Sequence, residues 1–411
     1  MVAARPVHPL TVAAPADGMT ASERARSLGI LADTAPRGSP LGVYVHVPFC
    51  AKRCYYCAFN TAPMDAGAMA RYVAALVREI DLVAGADWAE RAGVASVFFG
   101  GGTPSLLSAG DLAAILDRLA ARVSLDANAE ITVESNPESV DRDKLSAYRA
   151  AGVNRLSLGV QSLDDTILDR IGRLHGARGA RRAFGAARDA GFDNVSIDLM
   201  YGLPGLDVAG WQRAVTTIFD WAPEHLSAYG LSLDAGSLWG SAGPDGLPPE
   251  DTVVQQYWAL AREAAARGYE HYEISNYARP GRRSQHNLTY WRRGEYLGCG
   301  PGACGFIGDV RYGNVKPVAR YCAEIEAGRL PIDSAERLSS RQALAERLFL
   351  GLRTADGVPA AWLAERTAGD TALANRVDAW RAAGTIADAG ERVRLTESGF
   401  LVSDALFTDL L

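Results

Sequence analysis

From Gly42 onward, short apolar runs alternate with longer stretches whose apolar positions recur every three or four residues. The short runs are "GVYVHV" (Gly42–Val47), "ASVFFG" (Ala95–Gly100), "EITVES" (Glu130–Ser135), "RLSLGVQ" (Arg155–Gln161), "NVSIDLM" (Asn194–Met200) and "HLSAYGL" (His225–Leu231). Their Val, Ile, Phe and Leu content and partial alternation predict six strands. Between them, "AMARYVAALVREIDLVAG" sets Met69, Tyr72, Val73, Leu76, Ile80 and Val83 on one helical stripe. "SAGDLAAILDRLAARV" opens on a Ser108 cap followed by Asp111, and "DRDKLSAYRAAG" closes on a glycine, as a helix end should.

Six strand–helix units in series require parallel strands with right-handed crossovers. An open doubly wound sheet satisfies this, and so does a partial (β/α)6 barrel, two units short of a closed TIM barrel. Both put the active site beyond the C-terminal strand ends. After Leu247-Pro248-Pro249 the pattern changes. A helix, "EDTVVQQYWALAREAAARG", leads into a stretch from Tyr269 to Gly313 that reads as loop-rich. From about Arg337 the chain is helical and closes on "ERVRLTESGFLVSDALFTDLL", a short strand, a turn and a terminal helix. The expected fold is α/β: a partial (β/α)6 TIM-type barrel with a smaller C-terminal α+β, winged-helix-like unit acting as cover or dock. The expected divisions are a mobile leader (1–40) with a short helix near Ser22–Leu31, a core domain (41–250), a linker region (251–335) and a C-terminal domain (336–411).

Composition narrows the function. The chain has 411 residues, 48% hydrophobic and 22% charged, the balance of a globular protein of two or three domains. A net charge of −6 argues against binding nucleic acid through a basic surface. The leader lacks the apolar core of a signal peptide and no run approaches a membrane span, so a cytoplasmic, thiol-reducing setting is expected.

Three of the six cysteines then stand out: Cys50, Cys54 and Cys57, spaced C-x3-C-x2-C directly after the first predicted strand. Three unrelated buried thiols are the bland alternative, but such clustering beside Lys52 and Arg53 favours metal. Zinc would need a fourth ligand, and Cys299, Cys304 and Cys322 are remote and lack C-x2-C spacing. A [4Fe–4S] cube with three cysteines leaves one iron open to a small molecule bearing an amino and a carboxylate group, such as S-adenosylmethionine.

At this point the sequence resembles the radical SAM superfamily, whose cluster loop carries C-x3-C-x2-C. The resemblance implies a partial TIM barrel. It assigns "GGGTP" (Gly100–Pro104, hence Gly101, Gly102 and Thr103) to the amino and carboxylate ends of S-adenosylmethionine; glycines there permit close backbone approach. Glu134, Gln161, Asp198 and Arg173 fall at or just beyond strand ends and suit a zwitterionic nucleoside, with Arg173 placed to pair bidentately with a carboxylate. Singly, each is more often a cap or a surface pair. Tyr44 belongs to the same resemblance; His46 does too, with packing an equal alternative.

The wording narrows further. "VYVHVPFCAKRCYYCAF", "FFGGGTPS", "ESNPES", "RLSLGVQS", "IDLMYGLPG", "YEISNYARPG" and "HNLTYWRRGEYLGCGPGA" together resemble the oxygen-independent coproporphyrinogen dehydrogenases and their relatives. The dehydrogenase branch carries a fourth cysteine where this chain has Phe59. The HemW-type haem-chaperone branch carries H-N-x-x-Y-W, here His286 to Trp291. That branch implies haem as cargo near His286, Tyr290 and Trp291, in addition to the cluster and S-adenosylmethionine. Imidazole is a common haem ligand, and Tyr290 and Trp291 suit a porphyrin face. Arg282, Arg283, Arg292 and Arg293 could meet the propionates, and Cys299 and Cys304 are alternative ligands. A polar loop docked by two aromatics is the plain alternative. The implied partners are a haem-acceptor protein, membrane-bound and met at the inner membrane face, and an electron donor such as flavodoxin or ferredoxin. The competing reading is an enzyme that decarboxylates coproporphyrinogen III through radical cleavage of S-adenosylmethionine; Phe59 and "HNLTYW" weigh against it. No motif supports a third radical reaction.

Overall fold

Each of the six apolar runs forms a strand: β1 (Leu41–Val47), β2 (Gly93–Gly101), β3 (Ser124–Ser135), β4 (Arg155–Gln161), β5 (Val195–Tyr201) and β6 (His225–Gly230). The computed structural model describes residues 34, 36, 37, 40–86, 89, 92–408 and 410. The expected leader helix near Ser22–Leu31 lies outside the described residues. β1, β4, β5 and β6 are buried nearly throughout, as parallel strands covered on both faces must be. The intervening helices Ala66–Val83, Ala109–Arg122, Arg142–Ala150 and Val208–Asp220 start on side-chain caps from Asp65, Ser108, Asp141 and Asp207. Tyr72, Leu76 and Ile80 of the predicted stripe are buried against the sheet.

β1 to β6 are parallel neighbours in chain order. The sheet then grows at both ends. At the β6 edge, β7 (Glu270–Glu273) and β8 (Asn276–Ala278) add antiparallel in the order β6-β8-β7. At the β1 edge, β9 (Tyr296–Cys299) lies parallel to β1. β10 (Cys304–Ile307), β11 (Val310–Asn314) and β12 (Ile332–Arg337) continue antiparallel beyond it. Tyr269–Gly313 is therefore not loop-rich. Its strands are three to five residues long and carry Gly, Asn and Glu, too short and too polar for periodicity to reveal. "HNLTYW" is likewise not on a loop but on a helix, Gln285–Trp291, capped by Ser284.

Glu79 joins the first helix to the added strands. Its carboxylate is buried and accepts from Tyr321 Oη (2.6 Å), the Gly300 N–H (2.7 Å) and Asn314 Nδ2 (2.9 Å). Burial pushes its acid up to about 7, against these three bonds that favour the charge.

The C-terminal unit opens with helix Ser340–Leu352, held by a capping box between Ser339 and Gln342. Two further helices, Ala360–Thr367 and Thr371–Ala382, precede a hairpin, Ile386–Ala389 with Arg392–Leu395, to which Val358–Pro359 adds a third strand. This is the helix-and-hairpin arrangement expected of a winged-helix-like unit. The terminal helix is two short ones, Glu397–Leu401 and Ser403–Phe407, divided at Val402. The unit's core takes in Leu288 and Trp291 with Leu348, Phe349, Trp380 and Phe400, so it packs on the helix that carries "HNLTYW". Among the described residues no helix is long and apolar enough to cross a membrane.

Candidate functional site

The six parallel strands curl so that their C-terminal ends face one cavity of about 320 Å³, the scale of a small-molecule site. Tyr44, Gly101, Glu134, Gln161, Asp198 and Tyr229 reach it from β1 to β6 in turn. Cys50, Cys54, Cys57, Gly102, Thr103 and Arg173 line it, and so do His286, Tyr290 and Trp291. The residues singled out for cluster, nucleoside and haem thus share one cavity.

The cysteine loop is fastened on several sides. The Gly102 N–H donates to the Val47 carbonyl (2.7 Å) and Thr103 N–H to that of Phe49 (2.8 Å), tying "GGGTP" to the start of the loop. A Cβ on Gly102 would stand 2.7 Å from the Phe49 carbonyl oxygen, and one on Gly101 2.6 Å from the His46 ring. These glycines are therefore required by chain packing as well as by any ligand. His46 bridges Tyr44 Oη (3.0 Å) and the Asn60 carbonyl (2.8 Å), which makes it a positioning residue for the loop's end. Asn60 Nδ2 in turn donates to the carbonyls of Pro301 (2.9 Å) and Lys316 (3.0 Å). Arg53 reaches the Gly236 carbonyl at 2.8 Å, and the Trp239 N–H reaches that of Tyr55 at 2.9 Å.

Burial pushes the Cys57 thiol up to about 11 and raises Cys50, so the charged ligand form needs a metal to stabilise it. Among the described residues no three His, Cys, Asp or Glu converge on a single ion, the arrangement a zinc site requires. Thiolates that each hold a different iron of one cube stand farther apart, and three half-buried thiols around one cavity suit that.

The polar wall behind the loop is pre-arranged. Glu134 accepts the Gly101 N–H at 3.1 Å. Burial, and next the Asp198 charge, push it up to about 8. Asp198 accepts from Ser157 Oγ at 3.0 Å and Ser196 Oγ at 3.4 Å, and burial raises it too. Arg173 donates to the Gly159 carbonyl (2.6 Å), Asn136 Oδ1 (2.7 Å) and Cys54 Sγ (3.5 Å). Gln161 takes a left-handed φ of 65° at the end of β4, a strained conformation at the cavity edge. Ser135 Oγ, Arg155 Nε, Arg173 Nε, Glu273 Oε1 and Asn276 Oδ1 are buried without a partner, and all five residues line the cavity. Buried polar atoms are normally satisfied, so this ring matches a ligand rich in polar groups. The thiols and the ring together fit a cluster with a zwitterionic nucleoside.

Sequence reasoning missed Arg155, Glu273 and Asn276. All three lie in stretches marked for resemblance but were themselves given no role: Arg155 opens "RLSLGVQS", and the other two lie in "YEISNYARPG".

On helix Gln285–Trp291 the faces divide. Leu288 and Trp291 pack on the C-terminal unit, while His286 and Tyr290, four apart, turn together. His286 is 1% exposed, with Nδ1 against Ser96 Oγ (2.9 Å) and Nε2 against Tyr290 Oη (2.8 Å). The Phe98 ring stacks on it at 5.1 Å. Burial, then the Arg155 charge, lower it to about 3, so the ring is neutral, the form that binds metal. Both ring nitrogens are engaged; Nε2 becomes available only when the Tyr290 hydroxyl leaves it. Of the flanking arginines, Arg282, Arg283 and Arg292 turn to Asp193, Glu270 and Asp356, and Arg293 alone of the four lines the cavity. Cys299 and Cys304 sit in β9 and β10, outside the cavity lining.

Fold and site define a radical SAM protein. Residues 44–218 match the radical SAM superfamily, and residues 338–402 match the HemN C-terminal domain. The chain belongs to the family of the haem chaperone HemW. It is 37% identical over 382 residues to "Heme chaperone HemW" of Mycobacterium tuberculosis, spanning 91% of this chain and 95% of that protein. It is 36% identical over 329 residues to its namesake in Bacillus subtilis, spanning 79% and 86%. The solved structure of coproporphyrinogen III oxidase (HemN) from Escherichia coli superposes with a TM-score of 0.81 at 22% identity, over 95% of this chain and 93% of that one, and so has the same fold.

Proposed function

We propose that this protein is a haem carrier. It binds haem as cargo in the cavity beneath helix Gln285–Trp291 and passes it to an acceptor protein. Cys50, Cys54 and Cys57 hold a [4Fe–4S] cluster whose remaining iron is met by S-adenosylmethionine; together, when bound, these supply one-electron chemistry. Gly101, Gly102 and Thr103 receive the amino and carboxylate ends, and Glu134, Gln161, Asp198, Arg173 and Tyr44 the rest of the nucleoside. Glu134, pushed up to about 8 by burial and the Asp198 charge, holds a proton near neutrality that a neighbouring ammonium group displaces. The acceptor is met in the cytoplasm or at the inner membrane face.

One observation carries this reading: His286 and Tyr290 face the same cavity as the three cysteines, in a chain of the HemW family with Phe59 where the dehydrogenases have a cysteine. His286 is the candidate iron ligand through Nε2, once Tyr290 releases it. Haem titration by absorbance and coproporphyrinogen III turnover, measured on one anaerobically reconstituted preparation, test the reading. The expected result is saturable haem binding without decarboxylation; decarboxylation without stable haem binding overturns it. An unchanged haem spectrum and affinity in His286→Ala removes His286 as ligand.

A further inference from the structure

The cavity wall continues past His286 as a run of rings. Tyr290 stands edge-on to His286 at 4.9 Å and to Tyr296 at 4.6 Å, and Tyr296 pairs across β9–β10 with Phe306. Arg293 lies over the Phe306 ring at 4.6 Å. Its side chain is only 7% exposed. Nε donates to Glu346 Oε2 at 2.9 Å, while Nη2 is buried without a partner. The other oxygen of Glu346 accepts from Arg311, whose side chain is 11% exposed and whose second carboxylate, Glu336 at 3.3 Å, is 43% exposed. Arg293, Arg311 and Glu346 all line the cavity.

The guanidiniums of Arg293 and Arg311 thus share the carboxylate of Glu346, and the Nη2 group of Arg293 is left over. Leaving a charged donor buried and unsatisfied is costly, and a planar carboxylate is the acceptor whose shape matches a guanidinium edge. Arg282, Arg283 and Arg292 pair with acids nearer the surface; Arg293 pairs with the buried Glu346 through Nε and still keeps Nη2 without a partner.

We propose that Arg293, backed by Arg311 and Glu346, is a carboxylate subsite that anchors a propionate-type side chain of the tetrapyrrole cargo, with the aromatic run along its face. The assignment rests on the haem-carrier reading. S-adenosylmethionine also bears a carboxylate, so the test separates the two sources.

The test uses the full chain, anaerobically reconstituted, with haem and haem dimethyl ester as probes and absorbance as the readout; S-adenosylmethionine is followed by equilibrium dialysis. Wild type is expected to bind haem about ten- to a hundredfold more tightly than the diester, the range of one charge-assisted bond. Arg293→Met should lose that preference and keep its affinity for S-adenosylmethionine. The double variant Arg293→Met/Glu346→Gln removes both charges, leaves Arg311 paired with Glu336, and should behave alike. An undiminished preference in both variants overturns the subsite. Weakened S-adenosylmethionine binding with haem preference intact overturns the propionate assignment. A wild type that binds neither probe overturns the haem-carrier reading, and the subsite with it.

Discussion

Adding a single methyl group at Gly102 should loosen the cysteine loop. An ideal Cβ there meets the Phe49 carbonyl oxygen at 2.7 Å and the Pro48 carbonyl carbon and oxygen at 2.8 Å. These are backbone atoms, so no rotamer change relieves the clash. Ordinary contact begins near 3.4 Å, so the two chain segments must part by about 0.7 Å. The Gly102 N–H to Val47 bond, now 2.7 Å, would then exceed the normal limit of about 3.2 Å. Overpacking of this kind costs about 1–3 kcal/mol, and a weakened buried hydrogen bond adds roughly 1 kcal/mol. Cys50 follows Phe49 directly, so the displacement falls on a cluster ligand. Gly93, at the start of β2, the strand that Gly102 follows, is the control: a Cβ there meets nothing within 4 Å. Urea unfolding should place Gly102→Ala about 2–4 kcal/mol below wild type and Gly93→Ala within about 0.5 kcal/mol of it. Iron and sulfide per chain after anaerobic reconstitution should fall in Gly102→Ala alone. The reasoning is refuted when the two variants match in both stability and iron content.

The buried acid Glu79 makes stability depend on pH in the direction opposite to acid denaturation. Its folded value is about 7 against 4.5 for the free side chain, so the folded state holds the proton more tightly. Its contribution is complete below about 4.5 and is lost as pH rises to about 7, a change of roughly 3 kcal/mol. Urea unfolding between pH 5 and 8 should show the stability difference between Glu79→Gln and wild type changing across that window; a constant difference means the ionisation is not felt. Trp291→Ala should cost about 3–5 kcal/mol, because Trp291 is 7% exposed and joins the motif helix to the C-terminal unit. Trp291→Phe should keep most of that stability, and limited proteolysis should cut the Ala variant faster between helix Gln285–Trp291 and helix Ser340–Leu352.

Much of this protein was legible in one dimension. The six strands were read to within a residue or two at most ends because each carries a short, mostly buried apolar run; only β3 begins six residues early, at Ser124, where its first residues are mostly exposed. The cysteine spacing marked the loop because ligands that close to one cluster must be close in sequence. "HNLTYW" marked the second site as a string, but its helix was missed: seven residues opening on three polar ones show no helical period.

What the chain order alone determined is the parallel core and the side of it that carries chemistry, since βα units wind in one sense and their loops gather at one end. Only the tertiary structure decided which distant residues share that end. β9 returns beside β1 after almost 250 intervening residues and brings Tyr296, and with it Arg293 and Arg311, to the cavity edge. Glu346 arrives from another unit altogether. Burial then separates residues the sequence treats alike: Arg282, Arg283 and Arg292 meet surface acids, while Arg293 keeps its Nη2 unpaired inside. That difference comes from the folded surroundings of each side chain, which local sequence does not encode.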